Sequence, residues 1–440
     1  MNPGGRLAVG LCLCCAWAVA EPLPQPLSLE QALTLSEAWQ HPALQAQLAE
    51  VELARARRDE TAAELGLDAR FIADGRWVEA STNDNVNDAQ DDSRYTSHND
   101  SRLHLIVTKR LYDFGQSDAR IAAADALREV EELRLQAVKG QRRVEIMRSF
   151  FEVVLADLAA AEAEEAMAIE YVRLDRLRER NALQQVSDVV VAEQDYRYQS
   201  ARAARYRAQA RQRTSRAQLA ETLNRPGDLP GDLVAPLPGH LERDLPELKQ
   251  WLDQALASNP TLVALRAEAE AAREQMRAAR YGSRPVLRGE LQASDYEREF
   301  ATRDKYRAGI SLEVPLYTGG RVDARRLEAL ASVQRVDARL AQAQSEIRQS
   351  LLEAWERIGV LRVQREQALI EMDFRDLNLD QARTLYELEA RADLGNNMAE
   401  FSAARLRRAQ AEYQLALTWA EVALLTGHPE WDPFSEQGGS

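Results

Sequence analysis

The chain has 440 residues, 29% of them charged, and a formal charge of −14, a balance that disfavours nucleic acid as a partner. Glycine (20), proline (15) and aromatics (6%) are sparse. Alanine, leucine, glutamate, glutamine and arginine dominate, which argues against ordinary compact domains and for long helices with wetted faces. No P-loop, dinucleotide-binding glycine pattern, zinc spacing or nucleophile elbow is present, and the five histidines are scattered. No enzyme activity, cofactor or metal site is therefore expected.

In chain order, Arg6, an apolar run from Leu7 to Val19 and an Ala18-Val19-Ala20 end make a secretory signal peptide over 1–20. It holds all three cysteines, Cys12, Cys14 and Cys15. Lipidation fits poorly, because Cys14 follows Leu13 and Cys15 follows Cys14, so a disulfide-free exported chain is expected. Ser28 with Gln31 forms a capping box that opens a first helix. Pro42 then begins a second helix reaching about Gly66, and Pro260 does the same in the other half. Both prolines are read as first helical residues.

Hydrophobic period then changes from helical to two. Phe71, Ala73, Gly75 and Trp77 alternate with Arg70, Asp74 and Arg76, broken by Ile72. Leu103, Leu105 and Val107 alternate with Arg102, His104 and Thr108, broken by Ile106. In the second half Leu287 to Ala293 and Tyr306 to Val314 alternate likewise. Each is a strand of roughly ten residues with one apolar face, long enough to cross a bilayer when tilted. The first pair is joined by a long acidic loop, Glu79 to Asp100, read as a solvated exterior loop. The second is joined by the shorter Asp295 to Lys305. A heptad seam follows from Val130 through Met147 and Phe151 to Ala161, and another from Ile347 to Met372 with Arg365 in one seam position. Without proline from Gly115 to about Arg180, one helix could reach ~100 Å at 1.5 Å per residue. Breaks are expected near Asn181–Ser187 and Asp393–Asn397. The arginines between Arg197 and Arg216 should pair with Glu162, Glu164, Glu165, Glu170 and Glu179 of the preceding helix.

The chain thus states one plan twice. His41-Pro42 is echoed by Asn259-Pro260, Leu111-Tyr112-Asp113-Phe114-Gly115 by Leu316-Tyr317-Thr318-Gly319-Gly320, and Leu223-Asn224-Arg225-Pro226 by Leu425-Thr426-Gly427-His428-Pro429. We divide it into a signal peptide (1–20), a first repeat (21–225), a Pro/Gly-rich linker (226–244), a second repeat (245–429) and a tail (430–440). Within the repeats the strand pairs span about 69–111 and 285–316, and the helical hairpins about 117–223 and 321–425. The fold class is mainly α with membrane β. Four strands cannot close a barrel, and open edges in hydrocarbon cost several kcal/mol per unpaired group. Two copies would make a filled barrel of about eight strands, and three a wider one of about twelve.

The repeated prolines, the Leu316-Tyr317-Thr318-Gly319-Gly320-Arg321 segment after a strand and the closing Ala423-Leu424-Leu425-Thr426-Gly427 resemble the TolC family of outer-membrane efflux proteins over about 28–429. The resemblance implies a homotrimer with a twelve-stranded outer-membrane β-barrel set in lipid and a periplasmic α-barrel. It further implies docking to a periplasmic adaptor (membrane fusion protein) and an inner-membrane pump or ABC transporter. The expected function is a passive exit duct of a tripartite efflux or type I secretion system. A periplasmic coiled-coil adaptor or scaffold is the alternative. By the same resemblance Asp188 and Glu400 are candidates for a periplasmic gate. Asp188 could equally serve only as a helix cap. Pro42, Pro260, Gly115, Gly319 and Gly320 are the repeat-defining structural positions.

Overall fold

A computed structural model describes residues 23–37, 41–77, 99–236, 241–296, 304–388 and 393–428. The expected signal peptide, most of the Glu79 to Asp100 loop, part of the Asp295 to Lys305 connection and of the 226–244 linker, and the tail lie outside them.

The first half runs α1 (Leu29–Glu37), α2 (Pro42–Ala63), β1 (Leu67–Trp77), β2 (Asn99–Tyr112), α3 (Gln116–Ala182) and α4 (Asp188–Thr222). The second runs α5 (Leu248–Ser258), α6 (Pro260–Arg280), β3 (Val286–Tyr296), β4 (Tyr306–Glu313), α7 (Arg321–Glu387) and α8 (Leu394–Leu425), with one 3-10 turn at Tyr281–Ser283. The long helices α3 and α7 match at 67 residues each. Among the described residues no helix is long and apolar enough to cross a membrane.

Local chemistry accounts for most element ends. Ser28 and Gln31 exchange the two capping-box bonds at 3.2 and 2.9 Å. Pro42 and Pro260 open their helices, where a missing N–H costs nothing. Ahead of Pro42, His41 Nδ1 accepts from the Ala43 amide at 3.2 Å. Burial and the Arg142 guanidinium, opposed by Glu145, keep that imidazole below its ordinary value and so neutral, as a cap acceptor must be. Helix α2 stops at Ala63, three residues short of the expected Gly66. A Cβ on Gly66 would lie 2.9 Å from the Ala63 carbonyl, so the chain turns where only glycine fits.

The structure divides into two compact units. The described parts of Met1–Ala38, Ile146–Leu237 and Phe374–Leu406 make one, in which side-chain bonds link the helices in the order α4-α3-α8-α7. Between α4 and α3, Arg216 grips Asp157 with both guanidinium nitrogens at 2.5 and 2.9 Å, and Arg205 meets Glu164 at 3.0 Å. Two other expected partners differ. Glu165 accepts from Ser402 of α8, and Glu170 accepts from Gln194 and Arg173. Alternate turns of α3 face different neighbours, so a row of glutamates divides between α4 and α8. Helix α8 begins at Leu394, inside the predicted break, because Asp393 caps it through the Asn396 amide at 3.2 Å. Gly395 is where α8 approaches α3: an added Cβ would sit 3.4 Å from Ile169.

The second unit contains the sheet, α2, α5 and α6, and the remaining lengths of the long helices. The predicted α7 seam is buried at Ile347, Leu351, Ala354, Ile358, Leu361 and Ala368. Arg365 keeps its seam position by pairing with Glu242 at 3.1 Å. Trp251 and Trp419 pack edge to face, 5.6 Å apart.

Candidate membrane sheet and helical tips

The four strands form one antiparallel sheet in sequence order, with β1 and β4 at its edges. Register turns four separate alternations into two continuous faces. One row joins Phe71, Leu105, Ala293 and Tyr306, and the next joins Ala69, Val107, Leu291 and Ala308. On the opposite face Arg70, Ile106, Gln292 and Arg307 form one row, and Asp68, Thr108, Glu290 and Gly309 another. Ile72 and Ile106, which break the strand patterns, fall on the polar face in adjacent rows. The apolar side chains are not covered: Phe71 is 68% exposed, Ile310 73% and Tyr306 84%. On the polar side His104 hydrogen-bonds Ser294 at 2.9 Å and Gln292 at 3.2 Å. A sheet wet on one face and oily on the other, with both edges open among the described residues, suits a bilayer wall contributed jointly by several copies.

Both repeats pass from strand to long helix through two successive left-handed residues. Phe114 and Gly115 have φ of +57° and +85°, and Gly319 and Gly320 have +62° and +80°. Glycine adopts this region freely, whereas Phe114 is held there against a cost of about 1–2 kcal/mol. Around it, the buried Asp113 carboxylate accepts from the Ser117 amide at 2.9 Å, the Ser117 hydroxyl and the Arg110 guanidinium at 3.4 Å. Burial pushes this carboxyl up, but the Ser117 and Arg110 contacts outweigh it and hold it below its ordinary value. Its contribution to stability is therefore complete above the ordinary carboxylate range and is lost as pH falls through the lowered folded value. Asp113→Ala should cost about 2–3 kcal/mol at neutral pH, the usual worth of hydrogen bonds to a charged group. Thermal unfolding should show that difference narrowing toward pH 3, and an equal difference at every pH would contradict the assignment.

At one tip, α3 ends in a Schellman cap on Gln184 (φ +58°), with Gln185 N–H bonded to the Arg180 carbonyl at 2.9 Å. Asn181 then ties the turn together, donating to the Val186 carbonyl at 3.0 Å and to Asp188 at 2.9 Å. Asp188 is exposed and is the first residue of α4, where the helix dipole favours a carboxylate. The cap position itself belongs to Ser187. Glu400 lies on α8, bonded to Arg375 of α7 and to Asn396 at 3.0 Å. Asp188 and Glu400 therefore stand on different helices, each with its own partner.

The outer membrane efflux protein family model matches residues 251–428, from α5 through the turn after α8. Among solved structures, the fold is similar to the outer membrane protein VceC of Vibrio cholerae (TM-score 0.67, 17% identity, covering 91% of this chain and 96% of that one). The CmeC outer membrane channel of Campylobacter jejuni gives 0.71 at 13% identity, covering 93% and 87%. The open state of the MtrE outer membrane channel of Neisseria gonorrhoeae gives 0.69 at 17%, covering 94% and 91%. No curated protein matches the sequence. The second half of the chain thus matches outer membrane efflux proteins, and the chain as a whole shares the fold of these outer membrane channels.

Within this chain the repeat is carried by capping geometry as much as by hydrophobic pattern. Helix α4 ends on Asn224 (φ +55°) and α8 on Gly427 (φ +87°), and each is followed by a bond spanning five residues, Arg225 N–H to Ala220 and His428 N–H to Ala423. The second repeat ties its ends more tightly. Asn259 caps α6 through the Thr261 and Leu262 amides at 3.0 and 3.1 Å, and donates to the Leu425 carbonyl at 2.9 Å. Sequence reading missed Asn181, Arg375, Asp157 and Ser117, residues that gain importance only from their partners. Asp113 sat within an echoed motif, but its burial had no sequence signature.

Proposed function

We propose that this chain is the passive exit duct of a tripartite efflux or type I secretion system, assembled as a trimer in the outer membrane with its helices in the periplasm. The observation that carries the reading is the sheet, with one apolar exposed face, one polar face and two unpaired edges. Joining β4 of one copy to β1 of the next leaves no edge, and three copies of four strands give a twelve-stranded barrel wide enough for a passage. The helices support the same head-to-tail ring. In the layer α4-α3-α8-α7, α7 exposes Phe374 and Leu377 at 54% and 71%, with no covering neighbour among the described residues. A periplasmic adaptor and an inner-membrane pump or ABC transporter would dock at the helical tips and supply the energy. The repeats, with boundaries near 225 and 245, are the two structural copies that make this ring pseudo-regular.

Purified protein should have the mass of three copies in detergent and open steady channels in planar bilayers. A monomer that stays soluble without detergent would instead favour a periplasmic scaffold. Asp188 and Glu400 are assigned to the periplasmic gate. The double variant Asp188→Ala with Glu400→Ala should weaken divalent-cation block of the conductance, and unchanged block removes both from the gate.

A further inference from the structure

A cavity of about 460 Å³ opens within the second unit, over α3 and between α2 and α6. Ion pairs set these helices side by side: Arg58 of α2 meets Asp125 of α3 at 3.1 Å, and Arg134 of α3 meets Glu268 of α6 at 2.5 Å. Helices α2 and α3 run antiparallel, because Gln47 bonds Glu131 at one end of their contact and Glu64 bonds Arg120 at the other, both at 2.9 Å. Side-chain size explains the hollow. Further along the same pair, Leu44, Val51 and Leu135 fill the seam. At the cavity Ala54, Ala123 and Ala124 stand instead, with Ala278 of α6, and a methyl group does not reach across the gap.

Charge is ordered along this hollow. Glu50 and Glu131 line one end, Arg57 and Leu127 the middle, and Glu64 with Arg120 the other end. Glu131 is held by Gln47 and Arg134, and Arg120 by Glu64. Glu50 and Arg57 are exposed and have no hydrogen bond or ion pair among the described residues. They stand seven residues apart on one face of α2, roughly 10 Å along the axis at 1.5 Å per residue. Leu127, 37% exposed, and the alanine methyls supply an apolar floor between them. A free carboxylate and a free guanidinium across such a floor are complementary to a ligand of the reverse polarity, and the volume lies in the range of small-molecule sites.

We propose that this cavity binds a drug-sized zwitterionic amphiphile, with its ammonium at Glu50 beside Glu131, its carboxylate on Arg57 and its apolar body over Leu127 and the alanines. Arginine grips a carboxylate through two parallel N–H bonds, and two acids at the other end favour the ammonium. A ligand bearing only one of the two charges leaves either Glu50 or Arg57 unmatched. The site goes beyond the duct reading and does not rest on it, since all of its residues belong to one chain and one compact unit.

Norfloxacin serves as the probe, because it is fluorescent and carries its piperazinium and carboxylate at opposite ends of an aromatic body. Its methyl ester keeps only the cation, and its N-acetyl derivative only the anion. Fluorescence anisotropy of each is followed as the intact protein is titrated in detergent. Norfloxacin should bind saturably and about fivefold more tightly than either derivative, the worth of one exposed charge pair. Glu50→Gln should weaken norfloxacin and the ester by about that factor and leave the acetyl derivative unchanged. Arg57→Gln should weaken norfloxacin and the acetyl derivative and leave the ester unchanged. Both side chains are exposed, so neither change threatens the fold, and matched unfolding temperatures check this. Ala54→Leu, which fills the hollow, should weaken all three ligands together. Absence of saturable binding, equal binding of the three ligands, or affinities untouched by Glu50→Gln and Arg57→Gln would overturn the proposal. Conductance of the same preparation in planar bilayers tests the duct reading separately.

Discussion

Phe71→Arg is expected to stop the protein from assembling in membranes, whereas Ile72→Arg, one residue on, should be tolerated. Phe71 stands in the middle of the apolar face, in the row of Leu105, Ala293 and Tyr306, and is 68% exposed there. An arginine facing lipid near the bilayer centre costs about 2–4 kcal/mol per site, and in a ring of three copies that cost recurs in every copy. Ile72 lies on the other face, opposite His104, among residues that already include Arg70 and Arg102. An added guanidinium there meets polar neighbours and water. Flotation with lipid vesicles after refolding measures the difference directly. Loss of insertion by Ile72→Arg, with Phe71→Arg unaffected, would reverse the two faces and overturn the proposed arrangement of the duct.

The second large effect belongs to Gly427→Ala, expected to destabilise by clearly more than Gly227→Ala. Both glycines have φ of +87°, a region that costs an alanine about 1–2 kcal/mol. Their surroundings differ. A Cβ at Gly227 meets nothing within 4 Å, whereas at Gly427 it would sit 2.4 Å from the Ser258 carbonyl oxygen and 2.9 Å from its carbon. That clash falls on backbone, which cannot swing aside. Relief requires moving the turn that holds Ser258 to the Thr426 carbonyl at 2.7 Å and Asn259 to the Leu425 carbonyl at 2.9 Å. Urea or thermal unfolding of the two variants isolates the steric part, since the dihedral part is shared. Equal losses would show that the clash is absorbed without cost.

Much of the fold was legible because its signals are local. Period-two runs around Phe71 and Leu105, proline at the first helical residue and a capping box at Ser28 each depend on a few neighbouring residues. Errors arose where a local signal competed with packing. The stretch Asp393–Asn397 reads as a break from its glycine and asparagines, yet it begins α8, because Asp393 caps it. The arginines of α4 were assigned to a row of glutamates, but only Glu164 was met by one of them among the bonds described, and Asp157 took Arg216. Which acid on a helix faces which neighbour is set by the angle around the axis, and charge spacing alone does not reveal it. For the gate candidates, sequence named Asp188 and Glu400, and the structure supplied their holders, Asn181 and Arg375.

By itself, the sequence determined that the chain is two copies of helix pair, strand pair and helical hairpin, and that every strand has an oily and a wet side. These follow from periodicity and capping, which are properties of single segments. Only the tertiary structure decided that the four oily sides coincide, since a one-residue slip in any pairing would have scattered them between faces. It also decided that, among the described residues, β1 and β4 pair on one side only and so remain open edges. Those facts depend on which backbone groups find partners across the sheet, and pairing between distant segments is not written in any one of them.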